Sequence, residues 1–157
     1  FATHFDVNEL ADGRRWHEVG FVVADGEPAR QTTHVDYEVQ WRPGSRSAQQ
    51  FSVDLHVPGE QPTRVELEPL YDFQMCGIGY GHPEWGHGVW KGEEAVGGSR
   101  WTLPVDDPTA PHHVHVQTLS RARSTGPRGT HEGLGILEAY VIGEHTPTGL
   151  TGIFDPA

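Results

Sequence analysis

Residues 34–41, His-Val-Asp-Tyr-Glu-Val-Gln-Trp, alternate strictly between apolar and polar. Val35, Tyr37, Val39 and Trp41 fall on one side of an extended chain, and His34, Asp36, Glu38 and Gln40 on the other. A period of two belongs to a β-strand with one buried face, because successive Cβ atoms point to opposite sides. Residues 51–57 repeat the pattern, with Phe51, Val53, Leu55 and Val57 against Ser52, Asp54 and His56. Arg42-Pro-Gly-Ser45 between the two runs reads as a hairpin loop. Segment 15–23 is apolar on both faces and is expected to be a central strand, with Asp12-Gly13 and Asp25-Gly26 punctuating its ends.

Further strands are expected at 63–68, 70–76, 99–103, 113–120 and 134–142, with a short one near 150–154. Pro58-Gly59, Gly97-Gly98, Asp107-Pro108 and Gly126-Pro127 mark the loops between them. No window of a dozen residues keeps the i, i+3, i+4, i+7 spacing of a helix. Many short strands separated by turns predict an all-β fold, a sandwich or barrel of mostly antiparallel hairpins. Segment 104–112 is the most linker-like, but strands resume after it, so residues 1–157 are read as one domain. That length is sufficient to bury a core. The chain starts at Phe1 and has one methionine, Met75, the pattern of a processed chain or a piece of a longer protein.

The formal net charge is −11. Phosphate binding needs an excess of Lys and Arg, so nucleic acid is excluded as the expected partner, and anionic membrane surfaces with it. No apolar run is long enough to span a bilayer. Cys76 is the only cysteine, which leaves no internal disulfide and no thiolate cluster, and fits a cytoplasmic location. Eleven histidines are many for this length.

Three groups of residues carry chemistry. The first is the loop 77–93, where Gly77, Gly79, Gly81, Gly86 and Gly88 interleave with Tyr80, His82, Glu84, Trp85, His87 and Trp90. Glycines open backbone conformations closed to other residues, so the loop brings an acid, imidazoles and aromatic faces together. It is otherwise a tight corner plugged by Trp85 and Trp90. No Lys-Ser/Thr pair follows the glycines, so it is no phosphate cradle. The second is His113-Val-His115 with Gln117, which point to one side of a strand. That is a geometry for ligating metal, completed by His82, His87, Glu84 or Glu138, or simply a polar outer face. The third is Glu138 in an apolar run. A buried carboxylate there would be a neutral acid or the partner of an Arg or His. There is no Gly-x-Ser-x-Gly elbow for a serine nucleophile.

Gly79-Tyr-Gly-His-Pro-Glu-Trp-Gly-His-Gly88, then His113-Val-His-Val-Gln117, then Gly135-Ile-Leu-Glu138 and Ile142-Gly143, together resemble the C-terminal half of lipocalin-like bacterial proteins. These are related to the carotenoid 1,2-hydratase (hydroxyneurosporene synthase) group. The resemblance runs through most of 1–157 and is sharpest at 77–93. It implies an antiparallel lipocalin-like barrel or strongly curved sandwich, forming the second of two tandem domains, with an N-terminal sister domain as partner. It also implies action on greasy, isoprenoid-type substrates. One departure is plain: the hydratase-type loop has an Asp-His pair before its Trp-Gly, and this chain has His82-Pro83-Glu84.

The leading expectation is therefore a domain that binds an apolar small molecule and acts on it by acid–base hydration, dehydration or isomerisation, without a cofactor. Glu84 would protonate an alkene or leaving hydroxyl, and His82 or His87 would handle water. Tyr80, Trp85 and Trp90 would face developing positive charge, and Glu138 would bind substrate. The alternatives are a metal-dependent enzyme using His113 and His115 with zinc or iron, and a non-catalytic binding module.

Overall fold

The structure is a computed structural model that describes residues 1–74, 89–97 and 115–152. The described residues form eight β-strands, one short 3-10 turn at Thr146–Thr148, and no α-helix. Strands β1 (Ala2–Glu9), β2 (Arg15–Val23) and β3 (Arg30–Gln31) make one sheet in the order β1-β2-β3. Strands β4 (His34–Trp41), β5 (Ala48–His56), β6 (Thr63–Gln74), β7 (His115–Gly126) and β8 (Gly129–Tyr140) make a second, in the order β4-β5-β6-β7-β8. Both sheets are antiparallel, and among the described residues neither closes into a barrel.

The chain divides into two compact units. Phe1–Gln40, Ala48–Leu70 and Leu119–Leu137 form the first, and Trp41–Ser47, Tyr71–Thr118 and Glu138–Ala157 the second. The first has a continuous core to which both sheets contribute: Val22 from β2, Val35 from β4, Phe51, Val53 and Leu55 from β5, Val65 and Leu67 from β6, and Leu137 from β8. Phe5 of β1 stacks on Phe51 at 5.4 Å, and Tyr37 lies 6.1 Å from the same ring. Each fully buried side chain of this size contributes roughly 1.5–3 kcal/mol by leaving water. Of the two architectures expected, the open sandwich-type packing is the one this unit adopts.

Register sorts the side chains. Phe51, Val53 and Leu55 of β5 face Leu67, Val65 and Thr63 of β6, so the apolar set shares one side. Ser52 and Asp54 face Glu66 and Arg64 on the other, where Arg64 reaches Asp54 at 2.8 Å and Ser52 at 2.9 Å. Segment 15–23 is the central strand of its sheet, as its apolar faces predict. Gly20 lies opposite Phe5, and a Cβ there would stand 2.8 Å from Thr32 Oγ1.

Several expected boundaries move. The runs 63–68 and 70–76 are one strand through Pro69, described as far as residue 74. The strands expected at 113–120 and 134–142 are longer toward each other and meet in a tight hairpin, with Pro127 and Arg128 in its turn and Gly129 at φ 89°. Strands β1 and β3 were not expected. The strand near 150–154 reduces to an isolated pairing of His145 with Leu150 among the described residues. The expected strand 99–103 lies outside them. The hairpin loop after β4 is correct in place, and its Ser45, with Arg46 and Ser47 beyond it, is buried.

Candidate functional site

Of the residues singled out in the sequence, Tyr80, His82, Glu84, Trp85, His87 and His113 lie outside the described residues. Trp90 is described and is 79% exposed, so it plugs no core. His115 and Glu138 are described, and they meet.

His115 opens β7 and Glu138 lies near the end of β8, its neighbour in the sheet. His115 Nε2 stands 2.6 Å from Glu138 Oε1. The expected burial is reversed: the imidazole is the buried partner, and the carboxylate side chain is 57% exposed. Strand parity explains this, because Leu137 points into the core and its neighbour Glu138 must point the other way. The edge of Tyr140, two residues further on the same side, lies against His115 with ring centres 5.3 Å apart. The 2.6 Å contact between imidazole and carboxylate is at the short end of the hydrogen-bond range. It gives the second unit a proton donor and acceptor held by sheet geometry, with the carboxylate open to an incoming molecule.

The same unit also holds hydrogen-bonded polar groups and exposed aromatic ones. Asp72 accepts hydrogen bonds from Thr118 Oγ1 at 2.7 Å and from Arg42 at 2.8 Å. Arg46, fully buried, donates to the carbonyl of Gly152. His145 packs edge-on against Trp41 at 4.7 Å, and burial, helped by the Arg46 charge, pushes its pKa down. Tyr71 and Phe73 form an edge-to-face pair at 4.7 Å, and both are exposed, as are Tyr140 and Ile142.

The first unit carries a network to which the sequence reading gave no role. His34 Nδ1 lies 2.6 Å from Glu18 Oε1, His34 Nε2 is 2.9 Å from Asp36 Oδ1, and His56 Nε2 is 3.0 Å from Asp36 Oδ2. Glu18 also accepts from the Val35 N–H at 2.6 Å and pairs with Arg15 at 3.1 Å. Burial alone would raise the Glu18 pKa, but hydrogen bonds from Arg15, Val35 and His34, with the His34 charge, outweigh it and hold the carboxyl below its ordinary value. Asp36 is lowered in the same way, its loss of water being outweighed by His34 and His56. The alternation of 34–41 and 51–57 already put His34, Asp36 and His56 on polar faces. What the sequence lacked was the approach of Glu18 from β2.

The described groove of this unit has a volume of about 560 Å³ and is lined by Gln40, Gln50, Glu66, Glu68, Arg121 and Arg123, among others. Leu67 and Ala122 stand among these polar side chains, so its walls are mixed in character. Among the described residues no group of three or more His, Cys, Asp or Glu side chains is placed to hold a metal ion. Nor is any described helix long and apolar enough to cross a membrane.

Fold and geometry thus define an antiparallel sheet protein in which a buried histidine and an exposed carboxylate pair across two adjacent strands. The chain belongs to a family of unknown function (DUF8625), whose model matches residues 2–151. Comparison with curated proteins and with solved structures gives no match.

Proposed function

We propose that this protein binds an apolar small molecule of isoprenoid, steroid or lipid type and acts on it by acid–base hydration, dehydration or isomerisation. The observation that carries the reading is the 2.6 Å pair of buried His115 with the open carboxylate of Glu138. It lies in the unit that also exposes Tyr71, Phe73, Trp90, Tyr140 and Ile142. Tyr71 and Phe73 lie in contact with each other, and a contiguous exposed apolar patch is the kind of surface that binds apolar ligands. The resemblance to the carotenoid hydratase-related proteins points to the same substrate class.

In this reading Glu84 delivers a proton to one carbon of an alkene. Water, oriented by His82 or His87, bonds through its oxygen to the other carbon. Glu138 accepts the proton that water loses, and His115 behind it sets the orientation of that carboxylate. Tyr80, Trp85 and Trp90 present π faces to the transient cation. Dehydration runs the same steps backward, and isomerisation omits the water.

Organic extraction of the purified protein followed by mass spectrometry tests the binding half of the proposal. An apolar compound retained in stoichiometric amount, and depleted in a Tyr140→Ala/Ile142→Ala variant, is the expected result. A protein that retains nothing, and in which Nile red shows no saturable binding, contradicts it.

A further inference from the structure

Residues 143–152 follow β8 and make a strap that lies wholly within the second unit. A backbone pairing closes it, the His145 N–H donating to the Leu150 carbonyl at 2.9 Å. Between the two lies the 3-10 turn Thr146–Thr148, and Gly149 at φ 76° lets the chain double back. Leu150 is the apolar anchor and is buried. One side chain gathers both feet of the strap. Arg46, fully buried in the loop between β4 and β5, directs a single guanidinium nitrogen at the carbonyls of Gly143 and Gly152.

His145 makes the other attachment. Its ring stands edge-on to Trp41 at the end of β4, with centres 4.7 Å apart, and its Nδ1 lies 2.8 Å from Thr148 Oγ1. Thr148 gives its one hydroxyl proton to the His145 carbonyl at 3.1 Å, so toward Nδ1 its oxygen can only accept. Nδ1 therefore carries the proton, and the neutral ring has none on Nε2. A second ring proton would set a new cation near that of Arg46, at a half-buried position. Burial first, and the Arg46 charge second, hold the His145 pKa below that of an ordinary imidazole. Trp41 brings no charge to offset this. Of the other charged groups on these segments, Arg42 is paired with Asp72 at 2.8 Å and Glu144 is exposed.

We propose that the strap 143–152 is a pH-operated closure, fastened to Arg46 and Trp41 while His145 is neutral and released when His145 takes up a second ring proton. The fastened strap binds that proton less readily than a released one. Closure is therefore favoured most above the ordinary imidazole value, about 6.5, and is lost as pH falls below it. Release leaves Arg46 without the two carbonyls and Trp41 without its imidazole neighbour.

Backbone amide exchange of the whole chain, read as protection factors from about pH 8 down to about pH 5, tests this. The N–H groups of His145, Thr148 and Gly149 are bonded within the strap and report on it, while Val53 and Leu55 of β5 report on the core of the first unit. The expected result is a loss of protection in the strap as pH falls, with β5 unchanged. In His145→Gln the side-chain amide can still donate to Thr148 but does not titrate, so Thr148 and Gly149 should respond to pH far less. Circular dichroism establishes that this variant folds, and the comparison of strap with β5 in the wild-type chain stands without it. His17→Gln should keep the wild-type response. Strap protection that is constant with pH, that falls only in step with β5, or that falls equally in folded His145→Gln overturns the proposal.

Discussion

The carboxylate of Glu18 accepts the backbone N–H of Val35 at 2.6 Å, and the neighbouring Arg15 donates to the carbonyl of the same residue at 2.6 Å. Val35 is fully buried on β4, an outer strand of its sheet. Two side chains from β2 thus give its free backbone groups the partners a further strand would have supplied. Glu18→Ala leaves a buried donor unsatisfied and is expected to cost about 1–3 kcal/mol. Glu18→Gln, which keeps an acceptor oxygen, should cost less. Urea denaturation of the two variants measures the difference, and equal losses would show that charge rather than acceptance matters.

Acid should weaken the first unit through these carboxylates. Glu18 and Asp36 are both held below their ordinary values, and so is Glu60, chiefly by its hydrogen bond from Arg128. A group whose pKa is lowered by folding stabilises the native state at any pH above its unfolded value, about 4. That stabilisation disappears as pH falls through the lowered values. The melting temperature is therefore expected to drop steeply below about pH 4, and the drop should be shallower in Asp36→Asn. A melting curve of identical acid slope in the two proteins would contradict the assignment of Asp36.

Arg128, in the β7–β8 turn, meets Glu60 through two nitrogens at 2.7 and 3.2 Å and Glu27 at 2.9 Å, while Arg30 reaches Glu60 at 2.9 Å. These carboxylates drive the Arg128 pKa upward. Groups sharing one network do not add. Arg128→Ala and Glu60→Gln should each lower the urea midpoint, and the double variant should fall short of the sum. Strict additivity would show that the pair does not act as a unit.

The close approach of Gly126 to β6 makes a test of packing. A Cβ at Gly126 would stand 2.7 Å from Thr63 Oγ1 and 3.0 Å from Thr63 Cα. Backbone cannot yield as a flexible side chain can, so Gly126→Ala is expected to destabilise by about 1–3 kcal/mol. Gly133→Ala, with nothing near its Cβ, is the control expected to cost far less.

Strands β2, β4 and β5 were legible because each offers apolar residues of substantial size at every second position. The hairpin from 121 to 133 was not. Its inward side chains in β7 are Ala122 and Ser124, and its partner strand carries Gly133 and Gly135. Small residues fill that side without leaving a hydrophobic period to read. Pro69 suggested a break in β6 but sits within the strand, whose length the sequence pattern underestimates. Strand β1 escaped notice because Phe5 and Val7 are its only large inward residues.

The pairing of Glu138 with a histidine was foreseen as one of its options, and the partner proved to be His115. Which of the two would be buried was not foreseen, since that depends on the face Leu137 takes. The cluster of Glu18, His34, Asp36 and His56 was legible only in part. Periodicity places His34 and Asp36 on one face of β4, but no local signal brings Glu18 across from another sheet.

The central claim is that Glu138, with His115 behind it, takes the proton that water loses as it adds to an apolar ligand protonated by Glu84. Incubating the extracted ligand with the protein in deuterium oxide and following its mass measures that transfer directly. Wild-type protein is expected to incorporate deuterium into carbon-bound positions or to add deuterated water. Glu138→Gln should slow this by about 10²–10⁴-fold, with the ligand still bound. Incorporation at an unchanged rate in Glu138→Gln, or none with the wild-type protein, would contradict it.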